Sequence, residues 1–160
     1  MRILGIDPGL RITGYGAIEY RGITRTADLL DAGVIRLNAK FPIPSRLVEL
    51  ERELTEILTE IRPEIVAVEM LYSNYAHPRT AILMAHARGV ILLCARRAGA
   101  TIETLPPKRV KQSMTGHGSA GKSAMQRAVQ SYWKLPTLPT PPDVADALAI
   151  ALTAGRMKTT

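Results

Sequence analysis

Four carboxylates carry the chemistry this sequence makes available. Asp7 closes one apolar run, Arg2-Ile-Leu-Gly-Ile-Asp7, and Glu69 closes another, Glu64-Ile-Val-Ala-Val-Glu69. Asp143 and Asp146 stand three residues apart, a spacing that puts both on one face of a helix. Each acid alone has a plainer reading. Asp before Pro8-Gly9 is a common turn former, Glu69 fits a solvated strand end, and Asp143 fits a helix N-cap. Asp146 resists such a reading, because Val144, Ala145, Ala147 and Leu148 around it are apolar. Brought together, four such groups repel one another, so the cluster needs protons or bound cations. Hard divalent ions with oxygen ligands are the natural counter-charge, and Mg²⁺ suits a site completed by waters and phosphate oxygens.

A second constellation is basic. Lys108, Arg109, Lys111, Lys122, Arg127 and Lys134 fall in one third of the chain, around the Gly-rich stretch Thr115-Gly-His-Gly-Ser-Ala-Gly121. Glycines there let the backbone approach a phosphate chain closely. The whole sequence carries 21 Lys and Arg against 14 Asp and Glu, a net charge of +7. Such a surplus on a small chain points to a polyanionic partner, nucleic acid first and an acidic membrane second. Tyr72 and Tyr75 follow Glu69 closely and either stack on exposed bases or simply pack. His117 reads as a phosphate contact before a metal ligand, and Trp133 as core. Cys94, the sole cysteine, lies among Leu92, Leu93 and Ala95. It reads as a buried, inert thiol in a protein of a reducing cytosol and excludes an internal disulfide. No signal peptide is expected, since the first apolar run ends at Asp7 without a cleavage site. The apolar stretch 80–95 contains His86 and Arg88 and is too short to span a bilayer.

These residues need elements to position them. With 160 residues, 46% of them hydrophobic and 22% charged, the chain fits one domain, 1–160, with a sizeable core. Residues 2–7, 12–20 and 27–37 read as three strands in an antiparallel meander. Pro44-Ser45 opens a helix in which Leu47, Leu50, Leu54, Ile57, Leu58 and Ile61 recur at helical spacing, ending near Arg62-Pro63. Residues 64–69 form a fourth strand. Pro78 suits the first turn of a helix running to about Ala98. That helix is apolar nearly all round, with Gly89 inside it, so it must be covered on more than one side. One side is expected on the sheet and another on a second subunit; the alternative is the central core helix of a monomer. Residues 101–104 are a fifth strand, 122–134 a helix, and the prolines at 136, 139, 141 and 142 a stiff connector to a last helix starting near Pro142-Asp143. The order predicts an α/β fold with a five-stranded mixed sheet flanked by helices. If strands one and four pair, Asp7 and Glu69 face each other at adjacent strand ends, and the last helix adds Asp143 and Asp146.

Several segments together resemble one family: Gly5-Ile-Asp-Pro-Gly9 with Thr13-Gly-Tyr-Gly16, Pro44-Ser-Arg-Leu47, Val66-Ala-Val-Glu69, Ala87-Arg-Gly89, Val110-Lys-Gln112 with Gly116 and Gly118-Ser-Ala, and Asp143-Val-Ala-Asp146-Ala-Leu-Ala-Ile-Ala151. In that order and spacing, spanning almost the whole chain, they are similar to RuvC-type Holliday-junction resolvases, crossover-junction endonucleases of the ribonuclease H-like superfamily. The resemblance implies a single nuclease domain of ribonuclease H-like fold. It implies a structure-specific endonuclease that resolves four-way DNA junctions by paired, metal-dependent nicks in recombination and repair, leaving 5′ phosphate and 3′ hydroxyl ends. Asp7, Glu69, Asp143 and Asp146 then become the catalytic, metal-binding acids for two Mg²⁺ ions per subunit, with Mn²⁺ as a substitute. Position 143 is histidine in some relatives. Lys111 and Lys122 match basic residues near the active site, and Lys122 is expected to stabilise charge on the scissile phosphate. Lys108 and Arg109 join them as DNA-binding candidates. Tyr72 matches a position, commonly phenylalanine, that contacts the junction centre, whereas Tyr75 lies in a poorly matching segment. The family likeness also implies a homodimer, coupling to a branch-migration motor of RuvA and RuvB type, and a cytoplasmic setting. Three rivals remain at this point: an ATP-using phosphotransferase of the related actin-like fold, which needs two such domains; a non-catalytic junction-binding module; and a nuclease of the same fold acting on other branched nucleic acids.

Overall fold

The structure, a computed structural model, describes residues 1–71 and 78–158. Strands β1 (Arg2–Asp7), β2 (Ile12–Arg21) and β3 (Thr26–Arg36) form the expected antiparallel meander. Strands β4 (Ile65–Glu69) and β5 (Thr101–Leu105) extend it in parallel from β1, giving the order β3-β2-β1-β4-β5. The sheet is therefore mixed and five-stranded, as the sequence predicts. Five helices accompany it: α1 (Ile43–Ile61), α2 (Pro78–Arg97), α3 (Pro107–Thr115), α4 (Lys122–Trp133) and α5 (Pro142–Met157).

Two cores lie on the two faces of the sheet. Ile3, Ile18, Ile65 and Ala67 pack with Val110, Met125, Val129, Leu148 and Ile150 from α3, α4 and α5. Leu4, Ile6, Val66 and Val68 pack with Leu50, Leu54 and Leu58 of α1 and Ala87 and Ile91 of α2. Successive strand side chains point to opposite faces. By that alternation Asp7 shares the α5 side with Ile3 and Gly5, and Glu69 shares it with Ile65 and Ala67. Burying each large aliphatic side chain contributes about 1.5–3 kcal/mol, so the parity that places these acids is held by the hydrophobic pattern of both strands.

Helix α1 buries Leu50, Leu54, Leu58 and Ile61 and stops at Arg62, which adopts a left-handed conformation with φ of 49° before Pro63. Helix α2 buries Ala87, Ile91, Cys94 and Ala95. Its other apolar residues are not all covered: Ile82 is 59% and Leu93 49% exposed. Nothing lies within 4 Å of the position a Cβ would take at Gly89, so no packing among the described residues accounts for that glycine. Helix α3 escapes the sequence reading because Val110 is its one buried residue, too few for an apolar period. Its signals were Pro107 in the first turn and Gly116, with φ of 81°, closing the C-terminus. Trp133, expected in the core, is half-buried instead. It packs edge-to-face on Tyr132 with ring centroids 4.6 Å apart, and its indole N–H donates to the Ala27 carbonyl at 2.9 Å.

Candidate active site

Glycines on one face of the sheet create the site by letting α5 settle onto it. In the β1–β2 register Gly5 opposes Gly16 and Asp7 opposes Gly14. A Cβ at Gly5 would come within 2.1 Å of the Ala147 carbonyl oxygen, and one at Gly14 within 2.2 Å of the Asp143 carbonyl oxygen. Helix α5 thus lies directly on the strands, with its first turn next to Asp7. The parallel β1–β4 pairing runs up to Ile6 opposite Val68, so Asp7 and Glu69 occupy adjacent strand ends. The N-cap of α5 is Pro141; Asp143 is the second residue of the helix, and the capping alternative for it falls away.

Main-chain anchors hold both strand ends. After Asp7, the buried Thr13 hydroxyl donates to the Gly9 carbonyl at 2.7 Å and accepts from the Gly9 N–H at 3.2 Å. Arg46 Nη1 donates to the Leu10 carbonyl at 3.0 Å. After Glu69, the Met70 N–H donates to the Leu105 carbonyl at 2.8 Å. Arg88 from α2 donates through Nε to the Glu69 carbonyl at 3.3 Å and through Nη2 to Thr104 Oγ1 at 3.0 Å. The connector before α5 is tied down by Gln126, whose side-chain amide donates to the Pro139 carbonyl at 2.9 Å.

The electrostatics are those of convergent acids. Burial first, then the charges of Glu69, Asp146 and Asp143, push the Asp7 carboxyl up from 3.8 to about 8, against a lowering influence from Lys122. Burial and then Asp146 push Glu69 up from 4.5 to about 7, with Lys111 acting the other way. Asp146 is also raised, chiefly by burial, while Lys122 and Lys111 oppose the shift. Each carboxyl is expensive to ionise unless positive charge compensates it. The acids are within Coulombic reach of one another, yet among the described residues no three Asp, Glu, His or Cys side chains draw together into a finished ligand cage. A cavity of about 300 Å³ opens over this region, lined by Glu69, Asp146, Lys111, Lys122 and Gly121, with Val110 and Met125 among its apolar wall.

The structure therefore sets Asp7 within electrostatic reach of Glu69, Asp143 and Asp146, and Lys111 and Lys122 beside Glu69 and Asp146. Lys108 and Arg109 are exposed and do not line the cavity. The Lys108 stem instead crosses Gly118, where a Cβ would come within 2.7 Å of it. His117 is exposed, and its backbone is bound by the Thr115 hydroxyl. Tyr72 and Tyr75 lie outside the described residues. A larger hollow of about 630 Å³ lies on the opposite face of the sheet, between α1 and α2. It contains Thr55, Arg62, Cys94 and the Glu51–Arg97 pair, but none of the four acids. Thr13, Arg46 and Arg88 stand in the segments that carry the family resemblance, yet their sequence spacing gives no hint of what they do. They act on main-chain carbonyls, which sequence patterns do not mark.

The profile of crossover junction endodeoxyribonuclease RuvC matches residues 3–154. The chain belongs to the RuvC family. It is 48% identical over 150 residues to a crossover junction endodeoxyribonuclease RuvC of Rhodopirellula baltica, covering 94% of this chain and 83% of that protein. The RuvC of Thermus thermophilus, solved in complex with a Holliday junction substrate, superposes with a TM-score of 0.89 at 35% identity, covering 99% of this chain and 97% of that one. A second Thermus thermophilus RuvC structure gives a TM-score of 0.87 at 36% identity, covering 99% and 98%. The fold is accordingly the ribonuclease H-like fold of RuvC. No helix among the described residues is long and apolar enough to cross a membrane.

Proposed function

We propose that this chain is a Holliday-junction-resolving endonuclease and that the whole span 1–160 works as one nuclease domain. The observation that carries the residue assignment is the convergence of Asp7, Glu69, Asp143 and Asp146 on the α5 side of the sheet, with Asp7 pushed up to about 8. Family membership supports the activity; the acids supply the chemistry.

The donor set fits a hard divalent cation. All four donors are carboxylates, and the most buried of them, Asp7, ionises at neutral pH only beside a compensating positive charge. Asp7, Glu69, Asp143 and Asp146 would hold Mg²⁺, two ions per subunit, with Mn²⁺ as a substitute. Held by these four carboxylates, such cations would supply the Lewis acidity that phosphodiester hydrolysis by water needs near neutral pH. The remaining work falls to the chain's own residues. Lys111 and Lys122 flank the cavity and attract the scissile phosphate, and Lys122 offsets the negative charge that builds on it. Val110 and Met125 keep one wall of the cavity dry. Lys108, Arg109 and Tyr72 contact DNA beyond the cut. The products carry 5′ phosphate and 3′ hydroxyl ends fit for ligation.

Two cuts need two sites. Ile82, His86, Gly89 and Leu93 recur on one exposed stripe of α2, and the glycine at its centre lets a second helix approach closely. A two-fold pair of such helices makes a homodimer that offers both strands of a junction a site. Coupling to a motor of RuvA and RuvB type and a cytoplasmic location complete the reading. The test is a synthetic four-way junction incubated with the protein, with and without Mg²⁺. Paired symmetric nicks with Mg²⁺ and none without it are expected; binding without any cut under both conditions would reduce the protein to a junction-binding module.

A further inference from the structure

Resting on the reading above, we propose that Arg88 is a positioning residue for the cation site: it fixes the end of β4 from which Glu69 projects, and so ties metal binding to the seating of α2. Its guanidinium reaches two strands at once, donating through Nε to the Glu69 carbonyl at 3.3 Å and through Nη2 to Thr104 Oγ1 at 3.0 Å. Thr104 opposes Val68 in the β4–β5 register, and Leu105 opposes Glu69. The arginine therefore adds a side-chain staple to the C-terminal ends of these strands, beside the Met70–Leu105 main-chain bond that closes the ladder. Holding the peptide after Glu69 limits rotation about that residue and keeps its carboxylate aimed toward Asp7 and Asp146. Misplacing a reacting or binding group by about 1 Å costs on the order of 100-fold in rate.

The other side of Arg88 faces outward. It lines a shallow hollow of about 250 Å³ with Met70, Ala85, Gly89 and Leu92, and Gly89 and Leu92 belong to the helix whose apolar side is uncovered. One side chain thus joins the proposed subunit surface to a proposed metal ligand. Lysine is a poor replacement, because a single ammonium does not reproduce a planar fork with two fixed donors.

Metal binding and cutting are measured separately for wild type, Arg88→Ala, Arg88→Lys, Thr104→Val and, as a control on the same helix, the exposed Arg96→Ala. The metal readout is the rise in melting temperature, and the calorimetric affinity, on titrating Mg²⁺ into protein without DNA. The cutting readout is the single-turnover rate on a four-way junction against Mg²⁺ concentration. Junction affinity is measured in EDTA. Arg88→Ala is expected to raise the Mg²⁺ concentration for half-maximal cutting about tenfold and to shrink the Mg²⁺-induced melting shift, while junction affinity in EDTA stays within about twofold. Thr104→Val and Arg88→Lys should move the same way by less, which keeps the test open should Arg88→Ala fail to fold. Wild-type Mg²⁺ responses in those two variants, or a loss confined to junction affinity, would overturn the proposal and leave the nuclease reading intact. A metal response restored merely by raising protein concentration would trace the loss to subunit dissociation and overturn it also. No Mg²⁺-dependent cutting by wild type would overturn both.

Discussion

Asp7 is the residue on which ionisation matters most. With Asp7 titrating at about 8 against 3.8 and Glu69 at about 7 against 4.5, the native protein binds more protons than the unfolded chain between those limits. The pH derivative of stability is then negative: these two groups favour folding most at the acid end of the window, and the contribution is lost as pH rises to about 8. Metal-free protein in EDTA should therefore show a melting temperature that falls from pH 5 to pH 8 by more in wild type than in Asp7→Asn. Added Mg²⁺ should raise it more at pH 8 than at pH 5, since the cation replaces the missing compensation. Thermal unfolding monitored by circular dichroism reads both. The same Asp7→Asn protein should bind junction DNA yet cut it roughly 100-fold more slowly or worse in Mg²⁺; normal cutting would remove Asp7 from the ligand set. Lys111→Ala and Lys122→Ala should slow cutting by about 10- to 100-fold, whereas Lys40→Ala, exposed on the loop before α1 and outside the cavity lining, should not. Equal effects in a rate assay at fixed salt would demote the pair to general surface charge.

Helix α5 makes the site by proximity, and its proximity depends on absent side chains. Gly14→Ala puts a methyl where the Asp143 carbonyl oxygen lies 2.2 Å away. Neither backbone can yield without lifting the first turn of α5, so the variant should lose about 1–3 kcal/mol of stability, as overpacked cores do. Cutting should fall further than that loss explains, because Asp143 and Asp146 move together. Denaturant melts and junction cleavage at a temperature well below the melt separate the two effects. The sequence made much of this level legible. The apolar runs that Asp7 and Glu69 close put them at comparable strand ends, and the three-residue spacing put Asp143 and Asp146 on one helix face. It did not disclose α3, whose stability comes from Pro107, Val110 and neighbouring helices rather than from a repeated apolar stripe. Nor did it disclose Arg88, because a guanidinium bound to a backbone carbonyl leaves no mark on the spacing of side-chain types. The basic segment gave a mixed result for a related reason: Lys111 and Lys122 enter the cavity, while Lys108 and Arg109 turn away from it, a distinction of helical phase within a helix the pattern does not reveal.

At the scale of the molecule, the proposed dimer rests on the uncovered side of α2, where Ile82 and Leu93 are exposed. Sedimentation equilibrium should give a mass near twice 17.5 kDa, and Leu93→Glu, at a position already 49% exposed, should give monomers that keep the circular dichroism of wild type. A wild-type monomer at micromolar concentration would reject the interface. The monomeric variant should nick junction arms singly rather than in pairs, read on a cruciform plasmid as nicked circles in place of linear product. Asp7 comes from the first strand and Asp146 from the last described helix, so a polypeptide still being translated holds the earliest of its proposed ligands long before the last is made. Synthesis at about 5–20 residues per second then leaves a growing chain without the full proposed acid set for most of its time on the ribosome, and a product cut short before Asp146 is expected to show no nuclease activity.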